Sequence, residues 1–389
     1  MDYEEIMKRD LSMAKSLVKS NDIETLSIYA DFKYLDNIDS FPILKVDTAT
    51  VNIKEDTKGL RTAMNIADNL EVIISNSKTT WHFVKGNMRN LFAKEYVNMS
   101  ASMSKADQKL TKQSIIFQCA LTVLCNAYDK GFVSNEYDIH LTISLPPEDT
   151  EDSRVEKIRE NLIGTYNVKF PRLEKDINIV IKSVEVYAEP VAASYYYALE
   201  NVDEIEEETA VFLDCGGRSK GAVLVKNGSL VLNGTVTDIG GGERLLLDIS
   251  KNVAKRLGIT RLNTNVIRDG LAEAEIKIGT KTIDIAEDIN NAKANLAEAC
   301  VSTINKLLDE TYTQIEEVQH IICTGRTFIP SIRNGVIVSP SLVEFIKSEM
   351  NESDLELNIK FERVENDNPV VIGLLYYTLE KLSKDIEGV

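Results

Sequence analysis

The chain has 389 residues, 43% of them hydrophobic, with no apolar run near the ~18 residues that cross a bilayer; composition predicts a soluble protein of two or three domains and excludes a membrane-spanning one. Lys and Arg number 44 against 61 Asp and Glu, and a net charge of −17 excludes holding bare DNA through the overall field. Five cysteines without paired spacing, and an N-terminus (MDYEEIMKRD) without an apolar signal core, point to reduced thiols in a cytoplasm.

In chain order, residues 1 to about 22 carry apolar side chains at helical spacing. Residues 25 to 84 are strand-rich (LSIYADF, ILKVDTATVNIK, LEVIIS, TTWHFV), a helix is expected over 111 to 129, and DIHLTISLPP reads as a buried strand ending at Pro146. Strand SVEVYA meets Glu189-Pro190 and becomes a helix, since proline suits a first helical turn. ENVDEIEEE, residues 200 to 208, is expected to be a solvated hinge or helix end. VFLDCGGRSKGAVLVKNG, residues 211 to 228, is a strand, a glycine-rich bend and a second strand. GGGER then opens a helix closing at Gly258, residues 260 to 284 form a small insertion, and a long helix carries an apolar stripe from Ile285 to Ile315. Strand HIICT runs into Gly325, and the chain ends with strand LNIKFERV, an NDNP turn and a helix starting near Pro369. Strands and helices alternate twice, which predicts two α/β lobes. VDTATVNIK echoes the DCGG hairpin as a weak internal duplication.

The DCGG bend poses a chemical question. A buried strand that ends in a carboxylate and then strips its backbone bare makes sense if successive N–H groups converge on phosphate oxygens. Gly216, Gly217 and Gly221 supply the bare backbone and Ser219 a hydroxyl. Asp214 fits such a place if magnesium, held through water, lies between carboxylate and phosphate. Neither a Walker loop nor a dinucleotide fingerprint is present, because both lead into a helix and this bend leads into a strand. The plain alternative is a glycine-rich hairpin with Asn227-Gly228 as its far turn. GGGER at a helix start favours an anion or a ligand edge, and Gly325 at a strand end would let a nucleoside lie flat. Glu189 could orient an attacking water, or could simply be a first-turn glutamate satisfying the helix dipole.

In their order, DTATVNIK, SLPP, VEVYAEPVAA, DCGG with its strand and Asn-Gly, GGGE, CTG and the final Asn-Pro helix resemble the actin-like ATPase superfamily, most closely the bacterial ParM-type actins that segregate plasmids. The resemblance covers roughly residues 43 to 385. It implies an α/β, actin-like (ribonuclease H-like) fold of two lobes, each a mixed sheet flanked by helices, with nucleotide in the cleft between them. Residues 1–42 would be an N-terminal extension, 43–205 plus 366–389 the first domain, and 206–365 the second, with an insertion at about 259–284. ATP or GTP with Mg2+ would be hydrolysed in step with growth and decay of a polar filament of this chain. A basic DNA-binding adaptor protein would connect that filament to plasmid or phage DNA, without direct DNA or membrane contact.

Position by position, the resemblance assigns Asp47 and Asp214 to the metal's water shell and Glu189 to the attacking water. Lys54, Gly216, Gly217 and Ser219 would contact phosphate, while Gly241, Gly242 and Gly325 would border the nucleoside. Ala49, Thr50, Asn52, Arg218, Glu243 and Arg326 complete the expected nucleotide-binding set. Ala49 stands where the first motif normally has glycine, Gly221 where an acidic residue is common, and Arg326 replaces a glycine of the adenosine motif; Arg218 and Lys220 are unusual there too. Asp31 is the alternative first-hairpin aspartate; Asp47 is preferred because Lys54 has the fitting offset. A phosphotransferase on the same fold, or a non-catalytic filament whose pocket is spoiled, remain the competing functions.

Overall fold

The computed structural model describes residues 26–30, 49–52, 69–77, 80–86 and 96–98, and residues 108–387 except 146, 148–149, 151, 202–204, 206, 218, 352–357 and 366–368. The expected helix over residues 1–22 lies outside the described residues, as do Asp31, Asp47, Lys54 and Arg218. The chain divides into two compact units, residues 1–143, 151–186 and 374–389, and residues 144–150 and 187–373.

The first unit is built on an eight-stranded sheet. Its strands are β1 (Leu26–Ala30), β2 (Ala49–Asn52), β3 (Asn69–Ser75), β4 (Thr80–Gly86), β5 (Tyr96–Asn98), β6 (Glu136–Leu145), β7 (Gly164–Phe170) and β8 (Lys175–Ala188), in the order β1-β6-β8-β7-β3-β4-β2-β5. Among the described residues, two helices lie between them, α1 (Gln108–Lys130) and α2 (Asp152–Leu162). Residues 115–125 of α1 are all buried, which explains why this helix shows little amphipathic contrast. In β7 the alternation is plain: Tyr166, Val168 and Phe170 face inward, and the Tyr166 hydroxyl donates to the Leu162 carbonyl at the end of α2 (2.8 Å). β2 lies between β4 and β5, and β1 forms the opposite edge, antiparallel to β6.

The second unit holds α3 (Glu189–Glu200), β9 (Thr209–Cys215), β10 (Ser219–Lys226), β11 (Ser229–Ile239), α4 (Gly242–Leu257), α5 (Thr264–Gly270) and the hairpin β12–β13 (Glu275–Ile278 and Lys281–Asp284). It continues through α6 (Ala286–Glu310), β14 (His320–Thr324), the hairpin β15–β16 (Ser331–Arg333 and Val336–Ser339), α7 (Leu342–Asn351), β17 (Lys360–Arg363) and the start of α8 (Pro369–Glu387). The main sheet runs β11-β10-β9-β14-β17, antiparallel across β11, β10 and β9 and parallel from β9 to β17. Its central strands β9 and β14 are buried at every residue, as expected for strands covered on both faces.

Strand alternation sorts these side chains. Val211, Leu213 and Cys215 join the core formed with α4 and α6, whereas Phe212 packs edge-on against Tyr197 of α3, ring centroids 5.6 Å apart. Asp214, two residues after Phe212, therefore lies on the α3 face. The Asn227-Gly228 turn takes left-handed φ at both residues (51° and 68°), the geometry a tight hairpin demands. α4 ends on Gly258 at φ 65°, as the sequence predicts. α6 stops at Glu310, earlier than the apolar stripe suggests, and Ile315 sits in a separate 3-10 turn. The Thr311 hydroxyl binds the Leu307 carbonyl (2.8 Å) and Tyr312 turns left-handed, which ends the helix locally.

Candidate functional site

The candidate site grows from the end of β9. Asp214 pairs with Gly221 of β10 on one side and Thr324 of β14 on the other, all three presented to the same face. A Cβ on Gly221 would meet the Pro190 ring at 3.4 Å and the Pro147 ring at 3.6 Å. Both are ordinary contact distances, so the first turn of α3 lies directly on β10 at this position. SLPP, AEPVAA and DCGG, separated along the chain, converge at this point.

That convergence brings Glu189 close enough to Asp214 for their charges to interact. Burial, with the Glu189 charge adding to it, pushes the Asp214 carboxyl well above the usual carboxylate range. Asp214 is 8% exposed, and Glu189 is half-buried at the start of α3, where no side chain caps the helix. Two carboxylates sharing one niche are costly to ionise together. Such a pair is a place for a proton or a hard cation.

Beyond Asp214 the chain turns through Gly216 and Gly217, and the GGGE segment closes against that turn. Gly242 and Glu243 donate their backbone N–H groups to the carbonyls of Gly216 (2.8 Å) and Gly217 (2.6 Å). The first N–H groups of a helix need partners, and here the bend provides them. The N–H groups of Gly242 and Glu243, which the sequence offers to an anion, are spent within the chain. A Cβ on Gly241 would lie 2.2 Å from the Gly216 carbonyl oxygen, so only glycine permits this approach.

Gly325 closes the other flank. Its φ of 113° and a Cβ position 2.6 Å from the Cys215 carbonyl oxygen both require glycine. The Thr327 hydroxyl donates to that same carbonyl (3.1 Å) and fills the space a Cβ on Gly242 would need. Gly217 differs from its neighbours: it is exposed, and a Cβ there would meet nothing within 4 Å. Lys220 is buried, its ammonium donating to the carbonyls of Ile239 (3.1 Å) and Gly240 (3.5 Å). It ties β10 to the glycine run and explains an otherwise unusual residue.

The structure therefore brings together Glu189, Asp214, Gly216, Gly217, Gly241, Gly242, Glu243 and Gly325, with half-buried Ser219 at the start of β10 and exposed Arg326 after Gly325. Ala49, Thr50 and Asn52 lie in β2 of the first unit. Sequence reasoning missed the contacts of Gly221, Pro147 and Thr327, which join segments far apart in the chain. Pro147 and Pro190 hinted at the first of these contacts, and no residue type hinted at the Thr327–Cys215 one. The five cysteines are free and buried; burial pushes Cys119 up to about 12, and Cys215 is raised by its hydrogen bond with Cys300 and by burial.

Comparison with known proteins agrees with this architecture. The family model described as archaeal actin homologue MreB-like, C-terminal, matches residues 212–325, the stretch from β9 to Gly325. A search of curated proteins finds no match. Among solved structures, the actin-like protein Alp7A superposes with a TM-score of 0.60 at 15% identity, covering 88% of this chain and 93% of that one. Ta0583, an archaeal actin homolog, gives 0.56 at 13% identity over 86% and 92%. A 15-stranded ParM filament from Clostridium botulinum gives 0.52 at 15% identity over 86% and 92%. The chain is thus similar in residues 212–325 to the archaeal MreB-like actins, and it has the actin-like fold.

Proposed function

We propose that this protein is a nucleotide-dependent, filament-forming actin-like NTPase that uses ATP or GTP with magnesium. The observation that carries the proposal is the niche where Asp214 and Glu189 share one face beside the open Gly217 bend. The donor set fits a hard cation: the Asp214 carboxyl, which burial and then the Glu189 charge hold well above the usual carboxylate range, lies beside a second carboxylate. Asp214 would hold magnesium, through water, and magnesium when bound would neutralise phosphate charge. The glycine bend fits a polyphosphate, because bare backbone at Gly217 leaves room for close approach. Glu189, fixed at the first turn of α3 by the packing of Pro190, would take a proton from the attacking water. Asp47 and Lys54 would, by resemblance alone, also bind nucleotide and its metal.

Self-association is supported by the filaments among the similar folds, the ParM filament and an Alp12 filament structure with a TM-score of 0.50. The charge of −17 makes a basic adaptor the natural link to DNA, and plasmid or phage segregation the cargo role that fits. The test is direct. Purified protein is mixed with ATP or GTP and magnesium, and pelleting and phosphate release are followed together. Nucleotide-dependent pelleting with phosphate release is expected; a chain that stays monomeric and releases no phosphate with either nucleotide refutes the proposal.

A further inference from the structure

Asp214 has one neighbour on its own face of the sheet that the nucleotide reading leaves without a role. In register it stands between Gly221 of β10 and Thr324 of β14. On the β10 side the Pro190 and Pro147 rings lie over the bare Gly221. On the β14 side Thr324 presents a side chain bearing a hydroxyl, one strand spacing of about 4.8 Å away and on the same face. A Cβ on Gly325, the next residue of the chain, would lie 3.5 Å from Asp214 Oδ1, so the carboxyl leans toward this end of β14.

Threonine is a costly choice at this position. Thr324 is 1% exposed, and its hydroxyl has no hydrogen-bond partner among the described residues. The Asp214 carboxyl beside it accepts no hydrogen bond from them either. Ser194, Ser250, Thr303 and Ser339, buried in the same unit, are all bonded. Ser194 donates to the Val191 carbonyl (2.8 Å), Ser250 to the Leu262 carbonyl (2.7 Å) and Thr303 to Asp238 (2.7 Å), while Ser339 accepts from the Lys293 ammonium (3.1 Å). Valine would give strand β14 the same branched shape without a buried oxygen. The fold gains nothing from this hydroxyl, and burying it without a partner is unfavourable. Two in-register polar side chains left unsatisfied by the chain are what a bound group would satisfy.

The neighbours select the chemistry of that group. Two carboxylates, Asp214 and Glu189, repel an anion at this spot and favour a hydrated cation. Magnesium keeps several of its waters, and a water on a cation points its hydrogens outward at oxygen acceptors. A threonine oxygen accepts such a bond as a carboxylate does, and adds no further charge. We propose that Thr324 is a further residue of the niche, its hydroxyl accepting a hydrogen bond from a water of the cation held beside Asp214. The inference rests on the cation reading above and adds to it an uncharged contact.

The test uses the full chain with Thr324→Val, which removes the hydroxyl and keeps the shape, and Thr324→Ser, which keeps the hydroxyl. Melting is measured first, without nucleotide or magnesium. Fluorescent ATP and GTP analogues are then titrated at a series of magnesium concentrations. Thr324→Val should melt at or above the native temperature, because an unpartnered buried hydroxyl is lost. The magnesium needed for half-maximal nucleotide binding should rise about tenfold in Thr324→Val and return to the native value in Thr324→Ser. A threonine with a purely structural role would show the reverse, a lower melting temperature and an unaltered magnesium requirement. Melting of Thr324→Val below native overturns the inference, as does an unchanged magnesium requirement. A serine variant that behaves like the valine one overturns it too, and in all three cases the cation reading stands. If the native chain binds neither analogue in a magnesium-dependent way, the cation reading falls and this inference falls with it.

Discussion

The backbone N–H of Gly242 lies 2.8 Å from the carbonyl oxygen of Gly216, so the first turn of α4 is capped by the same bend that follows Asp214. Two segments that each looked like a separate anion site are one structure. The GGGE turn holds the shape of the DCGG turn, and the face of that turn near Gly217 remains open.

Gly241 and Gly217 should consequently respond in opposite ways to the same substitution. Gly241→Ala drives a methyl group to 2.2 Å from a carbonyl oxygen. It should cost about 3 kcal/mol or more, read by urea unfolding. Gly217→Ala meets no atom of the chain and should stay within about 0.5 kcal/mol of native stability. It should nonetheless weaken nucleotide binding, because the methyl occupies space a phosphate would use.

Asp214→Asn tests the electrostatics of the niche. The folded carboxyl is held above its unfolded value by burial and by Glu189, so its favourable contribution is complete below about pH 4 and is lost as pH rises through the raised folded value. The amide variant, with no charge to bury, should melt higher than the native protein at pH 7 and match it near pH 4. Magnesium-dependent nucleotide affinity should fall about 10–100-fold in the same variant. Equal melting at both pH values would show that Asp214 is not strained by its surroundings.

Glu189→Gln separates assembly from turnover. The side chain keeps its size at the start of α3 and loses its ability to accept a proton. Phosphate release should drop about a hundredfold or more, with nucleotide-induced pelleting retained. The pH at which Asp214 affects melting should also move down, since the Glu189 charge helps to raise it.

Lys293 predicts an alkaline signature. Burial lowers its ammonium to about 8, while its three acceptors hold the ends of the β15–β16 hairpin. Between about pH 8 and pH 10.5 the unfolded chain keeps a proton that the folded chain has released, so stability rises over that window, by about 3 kcal/mol in total. Lys293→Met should remove this rise, measured as urea midpoints at pH 7.5 and 10.

Much of the architecture was readable from residues alone because its signals are local. The continuous apolar run before Asp214 marks a strand covered on both faces, Asn227-Gly228 can only be a tight hairpin turn, and Gly258 ends α4 where its left-handed φ is needed. The order of the glycine and proline motifs resembled the fold that the similar structures share.

Pairwise facts between distant segments were not readable. Nothing in the residue string says that Pro147 and Pro190 meet over Gly221, that Gly241 needs its bare Cα to pass the Gly216 carbonyl, or that Lys220 turns inward to Ile239 and Gly240. Local sequence determined which segments form strands, turns and helices, since backbone preference and side-chain periodicity act over a few residues. Which glycines are spent on packing, as Gly241 and Gly325 are, and which face open space, as Gly217 does, was decided only by the tertiary structure, because steric exclusion between backbones depends on where the folded sheet and helices bring them together.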